Sequence, residues 1–196
     1  MARPSTIASM PVAERMTADE FLAMDDPRRG LQLIDGEVVV NEPRQRHQYL
    51  QGELFALLRE WVRSDQGSGD VSLPIDVKVD DYNVYAPDVL WYADENPAAP
   101  QGIDPDPPYA VPDLAIEVRS PSTWRYDIGR KKAEYERHGL RELWLVDGQA
   151  DTVLVFRRST PGAPGFDVAL EAASGQTLAS PLRPGFTLDL RALFGR

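Results

Sequence analysis

The order of elements in the second half of the chain constrains its fold most strongly. Residues 114–118 form a short apolar segment with the composition of a buried strand, and residues 127–139 follow a helical pattern that ends at a glycine. Two further apolar segments, residues 143–146 and 152–156, come next and are predicted as strands. This order, with more strands upstream, predicts an α/β or α+β fold with a mixed β-sheet.

The first half of the chain is predicted to contribute helices and a hairpin. Thr17 and Glu20 have the spacing of a capping box, which starts a short helix. Asp35-Gly36 is the strongest hairpin signal in the sequence, because this dipeptide favours a tight turn between two strands. Leucines at spacings of three and four predict a long helix. The predicted ranges are a helix to about residue 24, strands over 31–34 and 37–40, and a helix over 45–63.

The remaining segments are predicted from composition and breaker residues. Residues 1–15 are predicted as a flexible leader, and residues 16–196 as a single domain. The predicted strands cover residues 71–79, with an interruption at Pro74, then 84–92 and 166–170; residues 96–112 are predicted as a proline-rich surface loop, and 189–194 as a terminal helical turn.

Composition and charge exclude several classes of protein. The chain has no cysteine, so neither disulfides nor a thiolate zinc site can form. No apolar segment approaches ~20 residues, which predicts no membrane span, and the first residues lack the apolar core of a signal peptide. A cytoplasmic protein is therefore expected. The net charge of -10 counts against a nucleic-acid partner, although residues 119–141 carry +4 and the remainder carries -14.

Two acidic residues in otherwise apolar strands point to a metal site. Asp88 and Glu117 lie on different predicted strands, and carboxylates are costly in a core unless a hard divalent cation holds them. Asp113 is a rival partner, but it lies roughly 13 Å from Glu117 along one strand, whereas neighbouring strands are only ~4.8 Å apart. Asp88 and Glu117 are therefore the chemically useful pair if their strands are adjacent, and Asp113 is expected to start its strand. Taken singly, Glu117 could instead be an exposed strand carboxylate or a partner of Arg119, and Asp88 an acid at a turn or strand start.

Lys131 and Glu53 each allow two interpretations. Lys131 shares a helix face with Asp127 and Tyr135, where it is either a solvated lysine or a partner of the two acids. Glu53 lies beside the apolar stripe of the long helix, where it either reaches out to water or points at the same site. The residues alone leave both alternatives open.

The order of these motifs resembles the Uma2 (DUF820) family of restriction-endonuclease-like proteins, within the PD-(D/E)xK nuclease superfamily. Each matching segment is short, but together the segments run nearly from end to end. They are residues 16–22, 33–37, 46–48, 87–88, 117–123, 127–135, 142–147 and 184–190.

The resemblance implies a mixed central sheet flanked by helices and a particular metal site. Asp88, Glu117 and the Val118 carbonyl would hold Mg²⁺ or Mn²⁺, and Glu53 would be the helical acid that completes the site. In the superfamily the lysine usually lies two residues after the glutamate, where this chain has Arg119. The resemblance places the lysine on the next helix instead, at Lys131.

A metal-dependent nuclease that hydrolyses phosphodiester bonds of DNA is the function that the resemblance implies. Lys131 would position the attacking water or stabilise developing charge. Four basic residues are candidates for phosphate contacts that carry no sequence information. These residues are Arg119, Arg125, Arg130 and Lys132. A homodimer is left open, because nothing in the sequence identifies an interface.

Three other functions are weighed against the nuclease. A non-catalytic module that binds nucleic acid or protein is favoured by the net charge of -10 and by Arg119. A glycosidase could use the two acids, with Trp91 and Tyr92 as a sugar platform, although a core role for both aromatic residues is expected. A serine hydrolase is disfavoured, because no Gly-x-Ser-x-Gly motif is present.

Overall fold

The computed structural model describes residues 15–24, 30–97, 99 and 109–195. Twelve strands lie in these ranges: β1 (Leu31–Ile34), β2 (Glu37–Val40), β3 (Asp70–Ser72), β4 (Val77–Asp80), β5 (Asn83–Tyr85), β6 (Val89–Tyr92), β7 (Leu114–Val118), β8 (Glu142–Asp147), β9 (Thr152–Arg157), β10 (Val168–Ala173), β11 (Thr177–Ala179) and β12 (Thr187–Asp189). The helices are α1 (Ala18–Leu22), α2 (Gln45–Val62), α3 (Trp124–Tyr126), α4 (Lys132–Arg137) and α5 (Leu190–Phe194), and a π-helical turn (Asp127–Lys131) joins α3 to α4.

A six-stranded sheet forms the centre of the fold, in the order β10-β9-β8-β7-β6-β3. β7 and β8 run parallel, and the other pairs in this sheet are antiparallel. The helical segment from α3 to α4 makes the crossover between the two parallel strands, as a parallel pair requires. The prediction of a mixed sheet is confirmed.

Different elements cover the two faces of this sheet. α2 packs on one face through a stripe of buried residues at spacings of four, four and three: Leu50, Leu54, Leu58 and Trp61. The other face is covered by Tyr135 of α4 and by a four-stranded antiparallel sheet in the order β2-β1-β5-β4. Every residue of β7 and β8 is buried as a result, which explains why most of their residues are apolar.

Two prolines mark the points where the chain passes between the sheets. Pro74 separates β3 of the six-stranded sheet from β4 of the four-stranded sheet, and this interruption was predicted. Pro87 separates β5 from β6 in the same way, so the prediction of one strand over residues 84–92 is wrong. Proline lacks the amide that a central strand needs, and the break at Pro87 leaves Asp88 directly before β6.

The C-terminal region differs in part from its prediction. The strand expected over 166–170 is found as β10, which begins two residues later, and the pair β11–β12 was not predicted. The terminal helix is α5, whose start is capped by the Asp189 carboxylate. Residues 1–14 of the predicted leader and most of the predicted loop, residues 98 and 100–108, lie outside the described ranges. Of the helices that are described, none combines the length and apolar character needed to cross a bilayer.

Candidate active site

The pairing of β6 with β7 brings Asp88 beside Glu117. Val89 pairs with Ile116, so the residue that precedes β6 lies beside the last residues of β7. The Val118 backbone N–H donates a 2.7 Å hydrogen bond to Oδ2 of Asp88. Both carboxylates are buried, with 4% of Asp88 and 3% of Glu117 exposed. The two acids that were predicted to form a pair therefore lie near each other, Asp88 directly before β6 and Glu117 on the neighbouring strand β7.

Lys131 reaches the same place from the π-helical turn. Its Nζ lies 2.7 Å from Oε1 of Glu117 and 3.0 Å from Oδ1 of Asp127. It also donates a 3.0 Å hydrogen bond to Oε1 of Gln32, on β1. The side chain is fully buried, so the alternative of a solvated surface lysine is wrong.

The helical segment aims three side chains inward at successive intervals of four residues. Asp127, Lys131 and Tyr135 are all buried, and the first two are the ends of the π-helical turn. Single π-helical turns occur frequently at functional sites. The Tyr135 hydroxyl donates to Oε1 of Glu117 at 2.9 Å, and the Thr123 hydroxyl donates to Oδ2 of Asp127 at 3.0 Å. These contacts hold Glu117 and the lysine in one orientation.

Burial determines the protonation of this cluster. It raises the pKa of the Glu117 carboxyl to about 8; the charges of Asp127 and Asp88 act in the same direction, and Lys131 opposes them. Burial likewise raises the pKa of Asp127. For Lys131, burial alone lowers the pKa, but Asp127 and Glu117 outweigh it, so the pKa lies above the usual lysine value. Lys131 is therefore an ammonium donor at neutral pH.

The charges and donor atoms of the cluster fit a hard divalent cation. The buried carboxylates of Glu117 and Asp127 contact the Lys131 ammonium, and the buried Asp88 carboxylate lies close enough to Glu117 to affect its pKa. When all three acids are ionised, this group therefore carries two more negative charges than positive ones. Carboxylate and carbonyl oxygens are the ligands that Mg²⁺ prefers. A cavity of about 150 Å³ opens beside Asp88 and is also lined by Gln32, whose side chain accepts a hydrogen bond from Lys131.

α2 contributes His47 and Gln51 to this site rather than Glu53. Nε2 of His47 lies 3.1 Å from Oδ2 of Asp88, and the Gln51 side chain donates to the Asp88 carbonyl at 3.0 Å. At about 100° per residue, Glu53 points about 160° away from Gln51 around the helix, on the opposite flank of the apolar stripe. Glu53 is half-buried and has no hydrogen bond to the Asp88 cluster within the part of the chain that is described. The structure therefore does not bring Glu53 to the predicted site.

Two of the predicted phosphate contacts are held by ion pairs. Arg119 lies 2.5 Å from Oδ2 of Asp147, at the end of β8, and also lines a cavity beside Val118. Arg130 pairs with Asp35 in the turn of the β1–β2 hairpin. Arg119 therefore stays near the candidate site, whereas Arg130 links the helical segment to the hairpin.

The other two predicted phosphate contacts lie against aromatic rings. The Arg125 guanidinium lies 4.6 Å from the ring of Tyr126 and donates to its hydroxyl. Nζ of Lys132 lies 4.5 Å from the ring of Phe156, on β9. Such contacts between a cation and a ring stabilise the local packing. Neither side chain contacts the Asp88 cluster in the described ranges.

Asp113, the rival partner for Glu117, and the aromatic strand residues have structural roles. The Asp113 carboxylate accepts hydrogen bonds from the Ala93 backbone and the Asn96 side chain, both at 2.8 Å. It directly precedes β7, as predicted. Trp91 and Tyr92 are each 1% exposed, so the sugar platform considered for a glycosidase is wrong.

Several members of the site were not singled out as site residues in the sequence. Asp127 and Tyr135 could have been found from their spacing of four residues on either side of Lys131. Gln32 was signalled only as a lone polar residue in the apolar strand β1.

A second group that could hold a cation, formed by Asp80, Glu134 and His138, has ligand atoms within 4.8 Å of one another.

Comparisons with known proteins identify the family and the fold. A family model described as "Uma2: Putative restriction endonuclease" matches residues 18–191. The structure is similar to the crystal structure of "a putative nuclease belonging to DUF820" from Anabaena variabilis ATCC 29413, with 20% sequence identity and a TM-score of 0.75, over 92% of this chain and 98% of that chain. This likeness confirms the predicted fold. No curated protein matches the chain.

Proposed function

Because this chain belongs to the Uma2 family of restriction-endonuclease-like nucleases, we propose that it hydrolyses phosphodiester bonds of DNA with the help of Mg²⁺ or Mn²⁺. The observation that carries the proposal is the contact between the Lys131 ammonium and the Glu117 carboxylate on β7. The next residue of β7, Val118, donates its backbone N–H to the Asp88 carboxylate, so all three side chains lie at one place. A buried lysine among carboxylates fits nuclease chemistry better than a purely structural core. DNA as the substrate, a cytoplasmic location and a homodimer remain predictions.

Asp88, Glu117 and the Val118 carbonyl are the proposed ligands of the cation. When bound, a divalent cation would supply the positive charge that lowers the pKa of water and offsets the charge on a phosphate. The Val118 amide fixes Oδ2 of Asp88, and the Tyr135 hydroxyl fixes Oε1 of Glu117. Groups that orient metal ligands in this way commonly affect both metal affinity and activity.

Lys131 is the proposed group that handles charge at the reacting phosphate. Asp127 and the ionised form of Glu117 keep its ammonium protonated, and contacts with both residues hold it in place. A fixed cation in a buried site stabilises developing negative charge, or orients the attacking water, without having to reorganise. Asp127 then acts as a positioning residue, because it contacts the lysine rather than the substrate.

The alternative is a non-catalytic module, and the net charge of -10 is the observation in its favour. Arg119 stands where the superfamily usually has its lysine, but this difference is a weak argument for a non-catalytic module, because Lys131 places an ammonium at Glu117. A module of this kind has no need of a cation at Asp88 and Glu117. Calorimetric titration with Mg²⁺ and Mn²⁺ therefore separates the two candidates.

Plasmid cleavage tests the proposal directly. Purified protein is incubated with supercoiled plasmid in Mg²⁺, in Mn²⁺ and in chelator, together with Asp88→Asn and with Asp94→Asn as a matched control. The first substitution retains an oxygen that can accept from the Val118 amide, whereas Asp94 is exposed. We expect metal-dependent nicking by the wild type and the control but not by Asp88→Asn. Equal cleavage by Asp88→Asn, or in chelator, would contradict the proposal.

A further inference from the structure

A second cavity, of about 220 Å³, lies on the other side of His47 from the cavity beside Asp88. We call it the arginine pocket, because Arg44, Arg46 and Arg119 line it together with His47 and Gln149. Val118 lines it as well, so the pocket adjoins the proposed metal ligands. His47 lines both cavities. The arginine pocket is thus a basic cavity next to the site of the proposed chemistry.

The start of α2 opens into this pocket without a capping side chain. Arg44 is the N-cap residue, its side chain makes no capping hydrogen bond, and the first turn contains no acidic residue. The first helical hydrogen bond runs from the Gln48 N–H to the Arg44 carbonyl, so the three preceding amides have no partner within the helix. Arginines at the positive end of an 18-residue helix are electrostatically unfavourable, and a bound anion would offset that cost.

His47 gives an independent sign of a ligand. Its side chain is 4% exposed, and within the described residues neither ring nitrogen has a hydrogen-bond partner. Nε2 lies near Asp88, but the two groups are out of line for a hydrogen bond. Buried polar groups are nearly always hydrogen-bonded, so the Nδ1 atom of this buried ring, which has neither a hydrogen bond nor an ion pair among the described residues, indicates that a bound group completes the wall of the pocket.

The three arginines of the pocket are not equivalent. The Arg46 side chain donates to the Gly148 carbonyl and to Asp151, and Arg119 pairs with Asp147. Both guanidinium groups are therefore anchored to the β8–β9 turn and the end of β8. Arg44 is exposed and has no ion pair within the part of the chain that the structure describes. Arg44 is the cation that remains to bind an anion.

We propose that the arginine pocket binds a backbone phosphate of the substrate strand, next to the phosphate that is cleaved. The inference rests on the proposed function for the identity of the strand. The backbone amides of Gln45 and His47, the His47 ring and Arg44 together match the oxygens of a phosphate. With the scissile phosphate at Asp88, the chain would hold two neighbouring phosphates of one strand, one on each side of His47.

The salt dependence of DNA binding tests this inference. Binding of a labelled single-stranded oligonucleotide is measured by fluorescence anisotropy in chelator, at about 50 to 200 mM salt, so that no cleavage occurs. Arg44→Ala is compared with Arg63→Ala, which removes the same charge at the other end of α2. We expect Arg44→Ala to reduce the slope of log K against log salt by about 0.7 for each lost phosphate contact, and Arg63→Ala to leave it unchanged.

Two further comparisons make the result specific. Gln149→Glu places a carboxylate in the pocket and should weaken binding at low salt as well, while its urea unfolding curve matches the wild type. Oligonucleotides with and without a 5′-phosphate should be affected equally by Arg44→Ala, because the proposed ligand is a backbone phosphate. An effect confined to the 5′-phosphorylated strand would overturn that assignment.

The binding and cleavage assays test the phosphate-binding proposal and the nuclease proposal separately. Equal slopes for Arg44→Ala and Arg63→Ala, or no binding by the wild type at the lowest salt concentration, would overturn the pocket even if plasmid is cleaved. A reduced slope for Arg44→Ala alone would support the pocket even if no cleavage is found, because the assay contains no metal.

Discussion

Replacing Glu117 with glutamine is expected to stabilise the metal-free protein at neutral pH, even though Glu117 contacts Lys131. Burial raises the pKa of this carboxyl to about 8, against 4.5 for an ordinary glutamate. The folded state therefore holds one more proton than the unfolded chain between these two pH values. The free energy of unfolding falls as the pH rises through this window, because the unfolded chain ionises first.

The magnitude follows from the width of the window. Between pH 4.5 and pH 8, each pH unit lowers the free energy of unfolding by about 1.4 kcal/mol. Relative to its value below pH 4.5, the free energy of unfolding is therefore lower by ~3 kcal/mol at pH 7 and by ~5 kcal/mol once the pH has passed 8. Glutamine does not ionise in either state, so Glu117→Gln should escape the loss. Its amide oxygen can still accept from the Tyr135 hydroxyl and the Lys131 ammonium, as Oε1 of Glu117 does.

Urea unfolding in chelator at pH 5, 7 and 9 measures this effect. Glu117→Gln should exceed the wild type by ~3 kcal/mol at pH 7 and by more at pH 9, whereas Glu60→Gln, an exposed position on α2, should follow the wild type. Added Mg²⁺ should stabilise the wild type and not Glu117→Gln, because the cation binds only the folded carboxylates. The reasoning is refuted if Glu117→Gln is instead less stable by ~3 kcal/mol at pH 7, the cost of breaking a buried ion pair.

Two other substitutions separate structural from functional acids. Asp113→Asn should cost about 1–3 kcal/mol of unfolding free energy in urea, because its carboxylate binds the Ala93 amide, Asn96 and Arg141, and should leave Mg²⁺ affinity by calorimetry unchanged. Loss of Mg²⁺ binding would mean that Asp113, rather than Asp88, belongs with Glu117 in the proposed metal site. Glu53→Gln should also leave Mg²⁺ affinity unchanged, and a loss of about tenfold would return Glu53 to the metal site.

The elements that could be predicted are those decided by residues close together in the sequence. The Thr17–Glu20 capping box starts α1, as predicted. Asp35 and Gly36 both have positive φ, at 53° and 77°, which is the backbone that the predicted hairpin turn demands. In both places a few neighbouring side chains are sufficient to determine the local conformation, so the sequence contains the whole signal.

Predictions failed where the choice depends on distant contacts. The apolar segment over residues 84–92 has strand composition throughout, but composition does not say that β5 and β6 belong to different sheets. Gln32 meets Lys131 across 99 positions, and only the packing of the four-stranded sheet on the six-stranded one brings them together. For Glu53, packing has the reverse effect and keeps the residue away from the Asp88 cluster. The sequence shows that Glu53 lies beside the apolar stripe of α2, but its neighbours do not show which flank of the stripe faces the cluster.

The contacts of Arg119 explain why the ammonium at Glu117 comes from Lys131. Residue 119 follows the last pair of β7 and β8, where its backbone amide donates to the Val146 carbonyl and its guanidinium reaches Asp147. A side chain held in that way lines the arginine pocket and is not free to contact Glu117. The ammonium at Glu117 must therefore come from another element, and the π-helical turn delivers it at Lys131 with Asp127 as its support. In this chain the tasks of contacting the proposed metal ligands and lining the arginine pocket are divided between two residues. We therefore expect that Arg119→Lys does not restore plasmid cleavage to a Lys131→Ala variant.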